Sequence, residues 1–361
     1  MGWSAVVVGA GGNIGSHLVP HLARMPGLDR LTLVDRDAYE AGNLSSQDIT
    51  PSDVGRKKAL VQADRARRIN PALAVTAVTT PVETVPLGRL RSDVILACLD
   101  GRSARQHVNQ AAWRLGVPWI DAGVDGGGLL ARVDVYRPGR DNPCLECAWD
   151  ERDYAALEQT YPCAPAAVTP APTNAPSSLG ALAASLQAIE CQKLLVDAPG
   201  RSLAGAQVVL DVAHHKHYLT TLRRNPLCRL SDHEIWRIER LPAGPHELTV
   251  AKVFAFAAGR VDGGGPLRLR IEGQPFVRRL ACHECRSERP LLRMASALRP
   301  SDRNCPRCGA ERFASGLDLA EHLEAATLST RDLARSLHAI GLRTGDVVSV
   351  GNGDLQVHLE V

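Results

Sequence analysis

SAVVVGAGGNIGSHLVPHLARMPGLDRLTLVDRD, residues 4–37, reads as strand, glycine turn, helix and strand. Ala5 to Val8 is a short unbroken apolar run, the pattern of a strand buried on both faces of a parallel sheet. Gly9, Gly11, Gly12 and Gly15 follow at once, and Ile14, Leu18, Leu22 and Met25 then recur at helical spacing. Leu31 to Val34 is a second buried strand, ending on Asp35. Glycines let the backbone approach a phosphate, a helix N-terminus favours negative charge, and a carboxylate after the next strand reaches a ribose hydroxyl. The stretch is therefore predicted to be a nucleotide-binding βαβ unit. Its glycines do not choose the nucleotide, since a dehydrogenase and an adenylate-forming enzyme would both use them.

Outward from this unit, residues 38–60 form a polar loop expected over the carboxyl ends of the strands. Lys57 to Ile69 and Ser103 to Leu115 read as helices; Ala74 to Val78, Val94 to Leu99, Pro118 to Ala122 and Leu130 to Tyr136 read as strands. Asp100 stands at the carboxyl end of its strand, where ligands bind in open α/β sheets. The order predicts a doubly wound, Rossmann-like α/β fold. Residues 151–176 are rich in Ala, Pro and Thr and read as a crossing loop or linker. Ser178 to Val196 returns to helical spacing, with Leu182, Leu186, Ile189 and Leu194 apolar, and Gln207 to Val212 is a last strand. From 246 the composition is that of a separate α+β module, so the expected domains are 1–245 and 246–361. There Leu248 to Phe256 and Leu267 to Ile271 read as strands, and Val347 to Val350 with Leu355 to Leu359 as a hairpin. Thr330 to Ile340 reads as a helix capped by Ser329 and Asp332 and stopped by Gly341.

The chain's 361 residues suit two domains, and a net charge of +3 with interspersed signs carries no nucleic-acid footprint. No basic-then-apolar leader and no apolar run of about 18 residues occurs, so a cytoplasmic protein without a membrane partner is expected. In that compartment its ten cysteines point to metal or chemistry rather than disulfides. Cys282-x-x-Cys285 and Cys305-x-x-Cys308, nineteen residues apart, have the spacing of a four-cysteine zinc ribbon over about 279–312. His283 reads as a surface residue, and His214, His215 and His217 as a solvated loop.

Several of these pieces together resemble the ThiF/MoeB/ubiquitin-activating family of adenylyltransferases over residues 5–235. They are GAGGNIGS at 9–16, LTLVDRDAYEAGNLSSQ at 31–47, GRKKA at 55–59 with Ile69-Asn70-Pro71, LACLDGRSARQHVN at 96–109, Cys144-Leu-Glu-Cys147, and SLQAIECQKLL at 185–195. The resemblance implies adenylation of the C-terminal carboxylate of a ubiquitin-like or sulfur-carrier protein with ATP and Mg²⁺, in a homodimer. Asp35 would bind the ribose, Lys58 the phosphates, and Asp100 the Mg²⁺ or phosphates. Gly9, Gly11, Gly12, Gly15, Asp37, Asn43, Gln47 and Arg105 would complete the nucleotide site, with Arg105 and Asn109 on the helix behind Asp100. Cys163, in the crossing loop, would take the activated partner as a thioester. The family has a second cysteine pair after the last strand. Here Cys228 stands at that point and Ser231 replaces its partner, so Cys144, Cys147, Cys228 and His233 are the expected second zinc set.

Three departures follow from the same comparison. Ser46 occupies the place of an arginine, the glycine turn is one residue longer with Asn13 inserted, and only Met1 to Ser4 stands where many members carry an arginine-bearing helix. Arg56, Lys57 or Arg102 are the candidates to compensate. A nucleotide or partner binder without chemistry is the second reading. A nicotinamide-dependent oxidoreductase is the third, against which no Tyr-x-x-x-Lys pair occurs. The ribbon is expected to dock a partner.

Overall fold

The computed structural model describes residues 2–158, 175–196, 202–230, 233–261, 265–353 and 355–361. They form two compact units, Met1–Val85 with Leu90–Ile235, and Pro86–Arg89 with Trp236–Val361. Among the described residues, no helix is long and apolar enough to cross a membrane.

In the first unit, strands β1 (Trp3–Val8), β2 (Leu28–Val34), β3 (Ala74–Val78), β4 (Val94–Ala97), β5 (Trp119–Asp125), β6 (Leu130–Tyr136), β7 (Ala206–Asp211) and β8 (Lys216–Thr221) make one sheet. Their order is β3-β2-β1-β4-β5-β6-β7-β8. β1 runs parallel between β2 and β4, with Val8 beside both Val34 and Ala97, which is why Ala5 to Val8 must be apolar on both faces. Helices α1 (Gly15–Ala23), α2 (Lys58–Ile69) and α5 (Ser177–Leu195) share one core with the sheet, into which Ile120, Ala122, Ala131 and Val133 point. Helix α3 (Arg102–Leu115) lies over the alternate residues, Asp121 and Gly123. The sheet order reverses between β1 and β4, and the crevice at their carboxyl ends is the topological switch point.

Three details of this unit differ from expectation. β8 extends the sheet past the strand taken as last, and its six residues are all exposed. Glu151–Glu158 is helix α4, not loop, because Asp150 Oδ1 accepts the N–H groups of Arg152 and Asp153. Finally, α5 buries Gly180, Ala183, Ala184, Cys191 and Leu194, while Ile189 is half exposed. A helix lying close on a sheet needs small residues along the contact, so in its middle turns Leu182 and Leu186 are only partly buried while Leu179 and Leu194 are buried nearer its ends.

The second unit begins at Trp236 rather than at 246, because β9 (Ile238–Arg240) belongs to its sheet. That sheet has the order β15-β10-β16-β17-β9, with β10 (Arg268–Arg270), β15 (His322–Glu324), β16 (Val347–Gly351) and β17 (Gln356–Glu360). Residues 248–256, expected as strand, instead contain helix α6 (Val250–Ala258). Thr249 caps it by accepting the Lys252 N–H, and Val250, Val253, Phe254 and Ala257 form its buried stripe. The expected helix over 330–340 stops early: α8 covers Thr330–Leu333, with Ser329 as N-cap. Beyond it the backbone turns to residues 248–250, where Val250 N–H reaches Arg335 O and Leu337 N–H reaches Leu248 O. The remaining piece is a small sheet of β11 (Phe276–Cys282), β12 (Glu288–Met294), β13 (Arg312–Phe313) and β14 (Leu319–Ala320), with α7 (Pro300–Arg303) between β12 and β13.

Candidate functional site

The glycine turn fills the switch point. Gly9 has φ +79°, and a Cβ there would meet the Cys98 carbonyl at 2.4 Å, so both conformation and space demand glycine. Asp35 leaves the end of β2 and reaches back to the turn: Oδ2 accepts the Gly11 N–H at 2.8 Å and Oδ1 the Asp37 N–H at 3.1 Å. Burial pushes its pKa up, opposed by those two N–H groups and by Lys58. Asp37 itself is exposed, and its carbonyl accepts the Lys58 N–H.

Lys58 opens α2 and is only 9% exposed. Its ammonium lies 5.5 Å from the centroid of the Tyr39 ring, and a Cβ on Gly11 would come within 2.4 Å of its own Cβ. Tyr39 is buried, and its hydroxyl accepts from Gln62 Nε2 at 2.7 Å. The lysine is therefore held between the glycine turn and a fixed aromatic face, a favourable place for a cation. Neither Tyr39 nor Gln62 was among the expected site residues; the helical spacing of Gln62 from Lys58 was the available signal.

Asn43 Oδ1 accepts the Glu40 N–H and closes the turn Ala41–Ser45. Gln47 places a buried Oε1 with no hydrogen-bond partner among the described residues. Asn13, the extra residue of the glycine turn, donates Nδ2 to the carbonyls of Ser46 and Ala175 at 3.0 and 2.9 Å. Asp100 is exposed beyond the end of β4. Arg105 is not turned to open crevice: it donates to Asp121 and to the Leu99 carbonyl. Asn109 is fully buried and accepts the Leu145 N–H. The three compensating candidates are engaged within the protein, Arg56 with Asp53 and Asp64, Lys57 with the Arg36 carbonyl, and Arg102 with Asp153. Cys163 lies outside the described residues.

Two cysteine clusters are brought together. Cys144, Cys147, Cys228 and His233 hold their ligand atoms within 4.8 Å of one another. Sulfur separations are 3.6 Å for Cys144–Cys228 and 3.8 Å for Cys144–Cys147, and His233 Nε2 is 3.5 Å from Cys147 Sγ. Tetrahedral ligands at about 2.3 Å from one ion stand about 3.8 Å apart, so the donor set fits zinc. His233 Nδ1 donates to the Asn142 carbonyl at 2.9 Å, which directs the lone pair of Nε2 into the cluster. The intervening Glu146 is buried and accepts from Gln106, Asn109, Gln110 and Tyr154, tying this knuckle to α3.

Cys282, Cys285, Cys305 and Cys308 form the second cluster, with 3.4 Å between Cys282 and Cys308 and 3.6 Å between Cys285 and Cys305. Both halves are tight turns: the Arg286 N–H returns to the Cys282 carbonyl and the Gly309 N–H to the Cys305 carbonyl, with positive φ at Arg286 and Gly309. This donor set could form a zinc ribbon. His283 stays outside it, exposed and packed edge-on against Phe313. His214 is hydrogen-bonded to Asp211 in the β7–β8 turn and joins no such cluster among the described residues.

The sulfur carrier protein adenylyltransferase of Thermus thermophilus is 32% identical over 233 residues, 62% of this chain and 80% of its own length. The ubiquitin-like modifier-activating enzyme 5 of Dictyostelium discoideum is 25% identical over 263 residues, 62% of this chain and 65% of its own length. The enzyme of the same name from Oryza sativa is 30% identical over 161 residues, and the chain spans 38% of its length. The chain thus spans less than two thirds of these activating enzymes. Among solved structures, Escherichia coli MccB with ATP matches with TM-score 0.50 at 22% identity, over 63% of this chain and 65% of that one. MccB in complex with N-formylated MccA matches with TM-score 0.51 at 20% identity, over 63% and 67%. At such identity these likenesses establish the fold alone. The profile of the ThiF family matches residues 3–230, the span that carries the glycine turn, Asp35, Lys58, Asp100 and the three cysteines of the first cluster, and the chain belongs to the ThiF family.

Proposed function

We propose that the chain is an adenylyltransferase that uses ATP to activate the C-terminal carboxylate of a ubiquitin-like or sulfur-carrier protein. The observation that carries this is the glycine turn's surroundings: Asp35 is bonded to Gly11, Lys58 is packed beneath Gly11, and the Cys98 carbonyl, two residues before the exposed Asp100, abuts Gly9. Asp35 would hold the ribose hydroxyls, and the turn would admit the phosphates. Attack of the carrier carboxylate on the α-phosphorus forms one O–P bond and breaks that to pyrophosphate, bringing two anions together. Lys58, shielded from water, offsets the charge that develops. Asp100 would hold Mg²⁺, which when bound neutralises the leaving pyrophosphate. Cys163 is the proposed acceptor of the acyl group as a thioester, with release of AMP. Homodimeric assembly and a cytoplasmic location belong to the same reading.

The engaged state of Arg56, Lys57 and Arg102, together with Ser46, favours a second reading, a nucleotide and partner binder without chemistry. ATP–pyrophosphate exchange with Mg²⁺ and candidate carriers decides between them. Exchange that requires a carrier and is lost in Asp100→Ala is expected. Tight ATP binding with no exchange across the carriers would put the binder first.

Both cysteine clusters are proposed to hold Zn²⁺ as closed structural sites, and the ribbon to dock a partner. Replacing Cys305 and Cys308 by serine should then abolish carrier capture in a pull-down and leave ATP affinity unchanged. Undiminished capture would remove the docking role.

A further inference from the structure

The side of β5 and β6 that faces α3 carries charge where a covered sheet face is usually apolar. Asp121 and Asp134 stand opposite each other in the β5–β6 ladder, and both are fully buried. Isolated charges could not persist there. Two arginines meet them. Arg105 of α3 donates Nε to Asp121 Oδ1 at 3.1 Å. Arg132 of β6 donates Nη2 to Asp121 Oδ2 at 2.7 Å and pairs through Nη1 with Asp134. Gly123 makes room for both guanidinium groups, since a Cβ there would come 3.1 Å from Arg132 Nη2 and 3.5 Å from Arg105 Nη2. Two carboxylates face two guanidiniums, so the cluster offers no spare charge to a ligand. Its effect is mechanical.

That effect is delivered at the crevice. Arg105 Nη2 donates to the carbonyl of Leu99, the residue before Asp100, in the turn that joins β4 to α3. A planar fork is required to hold the Asp121 carboxylate and the Leu99 carbonyl at once, which a lysine cannot do. We infer that Asp121 is a positioning residue for adenylation: it aims Arg105, and Arg105 sets the Leu99–Asp100 turn. The inference rests on Asp100 being the carboxylate that meets the metal–nucleotide complex.

Asp121→Asn keeps the shape and removes the charge that fixes the two guanidiniums. Exchange kcat/KM for Mg²⁺–ATP should fall about 10²-fold, while affinity for ATP without Mg²⁺ stays within about two-fold of wild type. The Mg²⁺ concentration giving half-maximal rate should rise. Arg105→Lys should reproduce the pattern, and it carries the test if Asp121→Asn does not fold. A lowered Tm with wild-type kcat and Mg²⁺ dependence would make the cluster purely structural and overturn the inference. Calorimetric titration of ATP with and without Mg²⁺ keeps this separate from the adenylation reading. Even where no carrier supports exchange, the variants should lose the Mg²⁺-dependent part of ATP affinity and keep the rest. An equal Mg²⁺ increment in wild type and both variants would sink it.

Discussion

Lys58→Ala should lower the rate of carrier-dependent ATP–pyrophosphate exchange by about 10³-fold, the loss typical of a preorganised charge at a developing anion. The size follows from the enclosure of the side chain. At 9% exposure, between Gly11 and Tyr39, the ammonium has little water to replace it. The nearby arginine and lysine side chains hold other partners, Asp53, Asp64 and the Arg36 carbonyl. Tyr39→Phe keeps the ring beneath the ammonium and removes only the hydroxyl bonded to Gln62, so its rate should stay within about ten-fold of wild type. Rate measurements on the two variants at saturating ATP, with circular dichroism to confirm folding, test the assignment. A Lys58→Ala enzyme within ten-fold of wild type would move the phosphate-directed charge elsewhere.

Cys144→Ser should cost the chain one of two bound zinc ions by elemental analysis, and several kcal/mol of stability with it. Cys144 is 2% exposed and central to its cluster, next to both Cys147 and Cys228. The consequence extends past the metal. Glu146, two residues on, is gripped by Gln106, Asn109 and Gln110 of α3, and Leu145 N–H by Asn109 Oδ1. Loosening the knuckle frees a helix whose first turns carry Arg105. Cys305→Ser should remove the other ion and leave α3 undisturbed. Two zinc ions per chain in purified Cys144→Ser would show that the three-cysteine, one-histidine set is not a metal site.

The βαβ unit was legible because three levels agreed there: an unbroken apolar run, glycines at the turn, and a carboxylate after the next strand. The cysteine clusters were legible because short spacing within each pair already sets half a tetrahedron. Helix α6 was misread since Val250, Val253, Phe254 and Ala257 repeat at helical period inside a run of apolar residues, and such a run suits strand and helix alike. The end of α8 was hidden for a different reason. Its sequence favours helix through Ile340, and only the distant backbone at 248–250 offers Arg335 and Leu337 better partners. The Asp121–Arg105–Arg132–Asp134 cluster had no sequence signal, because alternation predicts which residues share a sheet face but not which helix covers it.

The place of β17 in its sheet bears on how the chain is made. Residues 356–360 are not an edge: they lie between β16 and β9, pairing with Ile238–Arg240 more than a hundred positions earlier. The sheet of the first unit is complete by residue 221, so that unit can fold while the ribosome is still adding the rest. The second unit must wait with β9 unpaired until β17 emerges. During that interval the half-made module leaves backbone unpaired, and the arrival of residues 356–360, not local helix formation, sets the moment at which it can close.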